Sequence, residues 1–235
     1  GYFVCGIFIT VAQGAIGQGG SFDVTTSNLS IINGAPINAS TSGEGDGGTI
    51  SIYASESITL DGTTPDDQFS SGIFSIVAQG AKGQGGSIDV TTSNLSILND
   101  AAINTGTSGE GDGGSITFNI SDVLTLRENS TISTQAFDTN FNGGDIIINA
   151  EDGFVVAFPN QNEGNGNDIV TRSPAGQGGD IVINAQGLFG LEERSAIEGN
   201  GTNDIDASGI VSGNVDINVL NPDAIEGANQ LPSNP

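Results

Sequence analysis

A Gly-Gly pair followed by a polar residue and then by alternating Ile, Val or Phe recurs down this chain, and its spacing leaves few folds open. It stands at Gly20 (GGSFDV), Gly48 (GGTISI), Gly86 (GGSIDV), Gly114 (GGSITF), Gly144 (GGDIII) and Gly179 (GGDIVI), with a degenerate seventh at Gly213 (GNVDINV). The spacings are 28, 38, 28, 30, 35 and 34 residues. Residues 6 to 60 and 72 to 126 are near copies at an offset of 66, so the duplication spans two of these units. A fixed period of this length marks a repeat architecture.

The apolar residues keep register with the glycine. Offsets +2 and +4 hold Phe22/Val24, Ile50/Ile52, Ile88/Val90, Ile116/Phe118, Ile146/Ile148 and Ile181/Ile183. A second pair falls at +10 and +12 as Ile58/Leu60, Leu124/Leu126, Phe154/Val156 and Phe189/Leu191, and one residue earlier as Leu29/Ile31 and Leu95/Ile97. A third short run follows, such as Pro36-Ile37-Asn38 or Thr131-Ile132-Ser133. Period two between small polar turns predicts three short strands per unit. One unit then fits one rung of a single-stranded parallel β-helix, an all-β solenoid of about six to seven rungs. A sandwich of hairpins is disfavoured. The hairpin-like Asn33-Gly34 and Asp61-Gly62 become Asn99-Asp100 and Arg127-Glu128 in the copy, so turn chemistry varies while register holds. The Gly pairs are expected at corners that need positive φ or close backbone approach. Extra loops are expected over residues 61 to 72 and 159 to 175. Residues 1 to 220 form the solenoid and 221 to 235 an Asn/Pro-rich tail.

Charge tests this reading. The 235 residues carry 28 Asp and Glu against 4 Lys and Arg, a net −24, with no His. Nucleic acid and anionic membrane surfaces need clustered cations, and Lys82, Arg127, Arg172 and Arg194 are scattered. Imidazole chemistry is excluded. Ile, Val, Leu and Phe make up about a quarter of the chain, above the roughly 20% expected of disordered sequences, and β-branched residues dominate. The carboxylates Asp23, Asp89, Asp145, Asp180 and Asp216 fall at outward positions. No window is long and apolar enough to span a membrane as a helix. The lone Cys5 closes no internal disulfide and reads as a small apolar residue within a strand. With no Met and a first residue inside a strand-like run, the chain is expected to be a segment of a longer or processed polypeptide.

The units GGSIDVTTSNLSILNDAAINTGTSGEGDGGSITFN, GGDIIINAEDGFVVAF and GGDIVINAQGLFGLEERSAIEG resemble the repeat region of filamentous-haemagglutinin-like large exoproteins, the passengers of two-partner secretion, and most of all their cyanobacterial members. The likeness covers about residues 6 to 220. It implies a right-handed parallel β-helix that is secreted or held at the cell surface. It also implies an outer-membrane transporter as export partner, and polysaccharide or protein ligands in adhesion or matrix contact. The family's secretion domain has no counterpart here, so transporter recognition lies outside this segment. VDINVLNPD, at Val215 to Asp223, resembles the end of such repeat regions and suggests a C-terminal portion.

Four candidate sites stand beside this reading. The GEGDGG turns place Glu44 and Asp46, and again Glu110 and Asp112, where oxygen ligands could hold Ca²⁺, as in a calcium-binding surface-layer-like protein; a solvated acidic turn is the alternative. Two rungs separate the copies, so they cannot share one ion. Asp66-Asp67 invites comparison with the paired carboxylates of a β-helical polysaccharide lyase or hydrolase, but the loop offers no cation to hold a uronate. Thr25-Thr26 and Thr91-Thr92 suggest a flat threonine array of the ice-binding kind, broken by Tyr53-Ala54 in the rung between. Asn-X-Ser/Thr triplets at Asn28, Asn38, Asn94, Asn119, Asn129 and Asn200 read equally as glycosylation acceptors and as stacked turn residues. The expectation is a non-enzymatic adhesin or stalk without a cofactor.

Overall fold

Alternation with a period of two carries across both apolar pairs after each Gly-Gly, and the chain runs through them as one long strand. The computed structural model describes residues 5–138, 140–160 and 164–220. In chain order its strands are β1 (Ile7–Phe8), β2 (Ser21–Ile32), β3 (Pro36–Asn38), β4 (Thr49–Asp61), β5 (Gly72–Phe74), β6 (Ser87–Leu98), β7 (Ala102–Asn104), β8 (Ser115–Arg127), β9 (Thr131–Ser133), β10 (Asp145–Ala157), β11 (Asp168–Val170), β12 (Ser173–Gln177), β13 (Ile181–Phe189), β14 (Glu192–Glu193), β15 (Asp204–Asp206), β16 (Gly209–Val211) and β17 (Val215–Val219). The long strands form a seven-stranded sheet in the order β17-β13-β10-β8-β6-β4-β2, and the short ones an eight-stranded sheet β1-β3-β5-β7-β9-β11-β15-β14. Every ladder between these strands is parallel. The described residues contain no helix. The fold is a parallel β-solenoid of about seven turns, as the repeat predicts.

The expected three strands per rung differ in detail. The first two are one strand of 12 or 13 residues in β2, β4, β6, β8 and β10, with a register shift at its corner. The third is the short strand. A further side is closed by single bridges, Val11–Thr41–Val77–Thr107–Ala136 and Ile16–Glu44–Lys82–Glu110.

Inward columns run along the axis. Phe22, Ile50, Ile88, Ile116, Ile146, Ile181 and Val215 pair rung to rung, as do Val24, Ile52, Val90, Phe118, Ile148, Ile183 and Ile217. The short sheet adds an isoleucine column of seven: Ile7, Ile37, Ile73, Ile103, Ile132, Ile169 and Ile205. Its members from Ile37 onward are buried. Each such side chain contributes about 1.5 to 3 kcal/mol of apolar burial.

Two expected pairs differ: both residues of Phe154/Val156, and Phe189 of Phe189/Leu191. In β10 the inward residues are Val155 and Ala157, while Phe154 is 38% exposed. Between Asn149 and Phe154 the β10 corner holds one residue more than the β8 corner between Asn119 and Val123, and a one-residue slip turns every following side chain to the other face. Phe154 and Phe189 instead meet outside the core with ring centroids 6.2 Å apart. Leu188 lies in line with Val155, and Leu191 is buried as expected.

The glycine pairs serve close approach. None has positive φ, but a Cβ on Gly114 would lie 1.9 Å from the carbonyl oxygen of Gly86, and one on Gly144 1.7 Å from that of Gly114. Among non-glycine residues positive φ is concentrated in the turn between the sheets, where Asn33, Asn99, Asp100, Glu128 and Asn129 are all left-handed. The loop expected over 159 to 175 is shorter than expected, because its second half enters β11 and puts Ile169 into the isoleucine column. Cys5 is exposed and precedes β1, rather than packing within a strand. The expected tail, 221 to 235, lies outside the described residues.

Candidate functional site

The outer surface is built of side-chain columns at fixed offsets from the glycine pair. Two positions before its second glycine stand Gln18, Asp46, Gln84, Asp112, Asn142 and Gln177. Each of the first five accepts a hydrogen bond from the backbone N–H of the next: Gln18 Oε1 from Asp46 at 3.1 Å, Asp46 Oδ1 from Gln84 at 2.7 Å, Gln84 Oε1 from Asp112 at 3.1 Å, Asp112 Oδ1 from Asn142 at 2.7 Å, and Asn142 Oδ1 from Gln177 at 3.0 Å. Asp46 and Asp112 are thus acceptors in a rung-to-rung ladder. Beside them Lys82 lies in line between Glu44 and Glu110, with its Nζ 2.9 Å from Glu110 Oε2. The hydrogen bond and charge of Glu110 raise the Lys82 pKa further, against a small desolvation and with a contribution from Glu44. A cation of the protein therefore occupies the line between the two candidate Ca²⁺ turns. Among the described residues no three acidic or thiol side chains gather as a metal site.

Five positions after the second glycine stand Thr25, Tyr53, Thr91, Asn119, Asn149, Asn184 and Asn218, which pair in register across the long sheet and face outward. Asn218 Nδ2 donates to Asn184 Oδ1 at 3.0 Å, Asn184 to Asn149 at 3.1 Å, and Asn149 to Asn119 at 3.1 Å, while Asn119 reaches Thr91 Oγ1 at 3.5 Å. The corner residues beside this column, Ser55, Ser93, Ser121 and Glu151, form the other wall of an open groove across β4, β6, β8 and β10. Tyr53 stands half exposed at one end of it. Thr25 and Thr91 belong to the column, but Thr92 is buried and Thr26 half-buried, so the four threonines do not form one outward array. The asparagine column was missed by sequence reasoning, although its signal was there: it recurs at one offset from the glycine.

Asp66 and Asp67 do not face each other across a cleft. Thr64 Oγ1 donates to Asp66 at 2.7 Å and Thr63 Oγ1 to Asp67 at 2.6 Å, which uses both carboxylates to close their own loop. Asn38 and Asn200 likewise accept from backbone N–H groups two residues on, at 2.9 and 3.0 Å. Asp23, Asp89, Asp145, Asp180 and Asp216 are all exposed, as expected.

A charged cluster lies beside the last short strands. Asp204 and Asp206 are buried. Asp204 is bound by Arg194 Nε and by Asn200 and Thr202, the last two at 2.8 and 2.9 Å, and Arg194 also pairs with Glu192 at 2.7 Å. Asp206 accepts from the N–H groups of Ala196 and Ser208 at 2.9 and 2.8 Å and lies 3.8 Å from Arg172. In the adjacent rung, Asp168 accepts from the Asp204 N–H at 3.0 Å. Burial, reinforced by Asp204 and Asp206, pushes the Asp168 carboxyl up to about 6, against that hydrogen bond and the charge of Arg194. These contacts tie the segment of β14, at the end of the short sheet, to β15. The chain matches no protein-family model, no curated protein and no solved structure.

Proposed function

We propose that this solenoid is a segment of a secreted or cell-surface exoprotein, a non-enzymatic stalk and contact surface for adhesion or matrix attachment. The resemblance of its repeats to two-partner secretion passengers supports this reading and names an outer-membrane transporter as the export partner, recognised through a domain outside the segment. The observation that carries it is the outer surface itself. Polar side chains at one offset per rung are joined into continuous columns, so one weak contact is repeated along the axis and multiplied by avidity. The surface's net negative charge keeps such a rod soluble and spares its edges from pairing.

Beads coated with the chain test the proposal on immobilised extracellular matrix and polysaccharide. Retention that grows steeply with coating density, with the polysaccharide left at its original length, is the expected result. A carbohydrate-active enzyme on the same fold would shorten the polymer, and new reducing or unsaturated ends in that assay would replace the stalk reading with the enzymatic one.

A further inference from the structure

The groove beside the asparagine column has a chemistry that selects a ligand. An amide side chain has two N–H donors and an oxygen with two lone pairs. Within the groove, Asn119 and Asn149 each spend one donor on the preceding rung, to Thr91 and Asn119, and one lone pair on the following one. On each of these two rungs one donor and one lone pair are left for solvent, and the Thr91 rung adds a hydroxyl. Neighbouring strands lie about 4.7 to 4.9 Å apart, so this donor and acceptor pair repeats at a step close to the rise of one sugar unit in an extended β-linked glycan. A hydroxyl both donates and accepts, which such a pair satisfies at once. At the β4 end the half-exposed Tyr53 ring offers an apolar plate with a polar tip, suited to stacking on a pyranose face.

Charge sets the class more narrowly. None of Lys82, Arg127, Arg172 or Arg194 lines the groove, and Glu151 and Asp152 stand at its β10 end. Uronates and sulfated sugars would meet only negative charge there. We infer that the groove from Tyr53 to Asn149 binds an uncharged, extended, β-linked glycan strand lying parallel to the solenoid axis, with one sugar unit per rung. This deepens the contact-surface reading and rests on it.

Calorimetric titration of the whole chain with cellohexaose, and with a β-1,4-linked mannuronate hexamer, tests the inference. Cellohexaose should bind and the mannuronate should not. Tyr53→Ala should weaken cellohexaose binding about five- to tenfold and Tyr53→Trp should retain it, while Gln79→Ala, on another side of the rung, should change nothing. Tyr53 is half exposed, so both variants are expected to fold, and an unaltered melting curve checks that. Equal binding of the two hexamers, or full affinity in Tyr53→Ala, overturns the inference. So does absent cellohexaose binding. If coated beads are still retained on matrix in that case, only the glycan assignment falls; if they are not, the contact-surface reading falls with it.

Discussion

The duplicated rungs and the rungs that follow them keep the same columns by different means. In the first region the short turns Asn33-Gly34 and Asn99-Asp100 lead into Ala35 and Ala101, small residues just before the short strand. In the second the connection lengthens and the same position becomes Asn167 and then Asn203, both buried. Their amides donate to the carbonyl oxygens that open the long loops: Asn167 Nδ2 to Phe158 at 2.7 Å, and Asn203 Nδ2 to Gly190 at 2.8 Å. The one long loop inside the duplicated region obeys the same rule, since Ser71 stands at that position and donates to the Asp61 carbonyl at 2.7 Å. A short turn satisfies its own backbone, whereas an inserted loop needs a polar residue at its return to do so. The solenoid therefore accepts insertions at this corner at the cost of buried polar groups, and the later rungs carry most of them.

The largest effect is expected in the apolar column that runs through both regions. Ile148→Asp puts an unpaired carboxylate into a fully buried site and should cost more than about 4 kcal/mol in chemical denaturation, enough to unfold the stack. Ile217→Asp, in the same column but 36% exposed on the last rung, should cost under about 1 kcal/mol. Similar losses for both would mean that burial in this column does not set the stability of the stack.

Next in size is Arg194→Ala, which leaves the buried Asp204 without its cation. A loss of about 3 kcal/mol is expected, confined to the segment from Leu191 to Asp206. Hydrogen exchange should show that segment opening while amides of β4 to β8 keep their protection; uniform deprotection would erase the distinction between the regions.

A smaller effect follows from Asp168. Its folded pKa of about 6 lies above the unfolded value near 3.8, so between these values the folded state holds a proton that the unfolded state does not. Its contribution to stability therefore rises as pH falls from about 7 through 6 and is complete below about 4. Subtracting the melting profile of Asp168→Asn from that of the wild type isolates it, and a difference that is flat with pH contradicts the assignment. Smallest is the effect of chelator. With Lys82 between Glu44 and Glu110 and with Asp46 and Asp112 bonded to backbone N–H groups, removing Ca²⁺ should leave the melting temperature where it was. A clear fall would restore the calcium site.

Much of this was legible from the glycine register. The pairs at +2 and +4 are inward wherever the sequence places them, because nothing separates them from the close-packed glycine. Phe154 and Val156 failed because the Glu151 to Gly153 corner holds an extra residue, and counting from the glycine cannot see a bulge that restores the column by shifting the chain. The acidic turns stand out in the sequence by their charge, but the pairing partner of Asp46 is a backbone N–H one rung away, which only the stacking supplies. The asparagine column was within reach of the same counting that found the isoleucines. It was missed because outward positions vary among Thr, Tyr and Asn, and polar variety reads as surface until register lines it up.

Ahead of the corner shifts, the register set by the glycine pairs runs unbroken from the duplicated rungs through the later ones. Asp23 and Asp216 begin and end the same outward column, through Ser51, Asp89, Thr117, Ile147 and Val182. Spin labels at these two positions, in a Cys5→Ser background, measure its length by electron double resonance. Six rung steps predict a single narrow distance near 29 Å, widened only by the labels. A broad distribution, or a distance shorter by one or more rungs, would contradict a continuous stack.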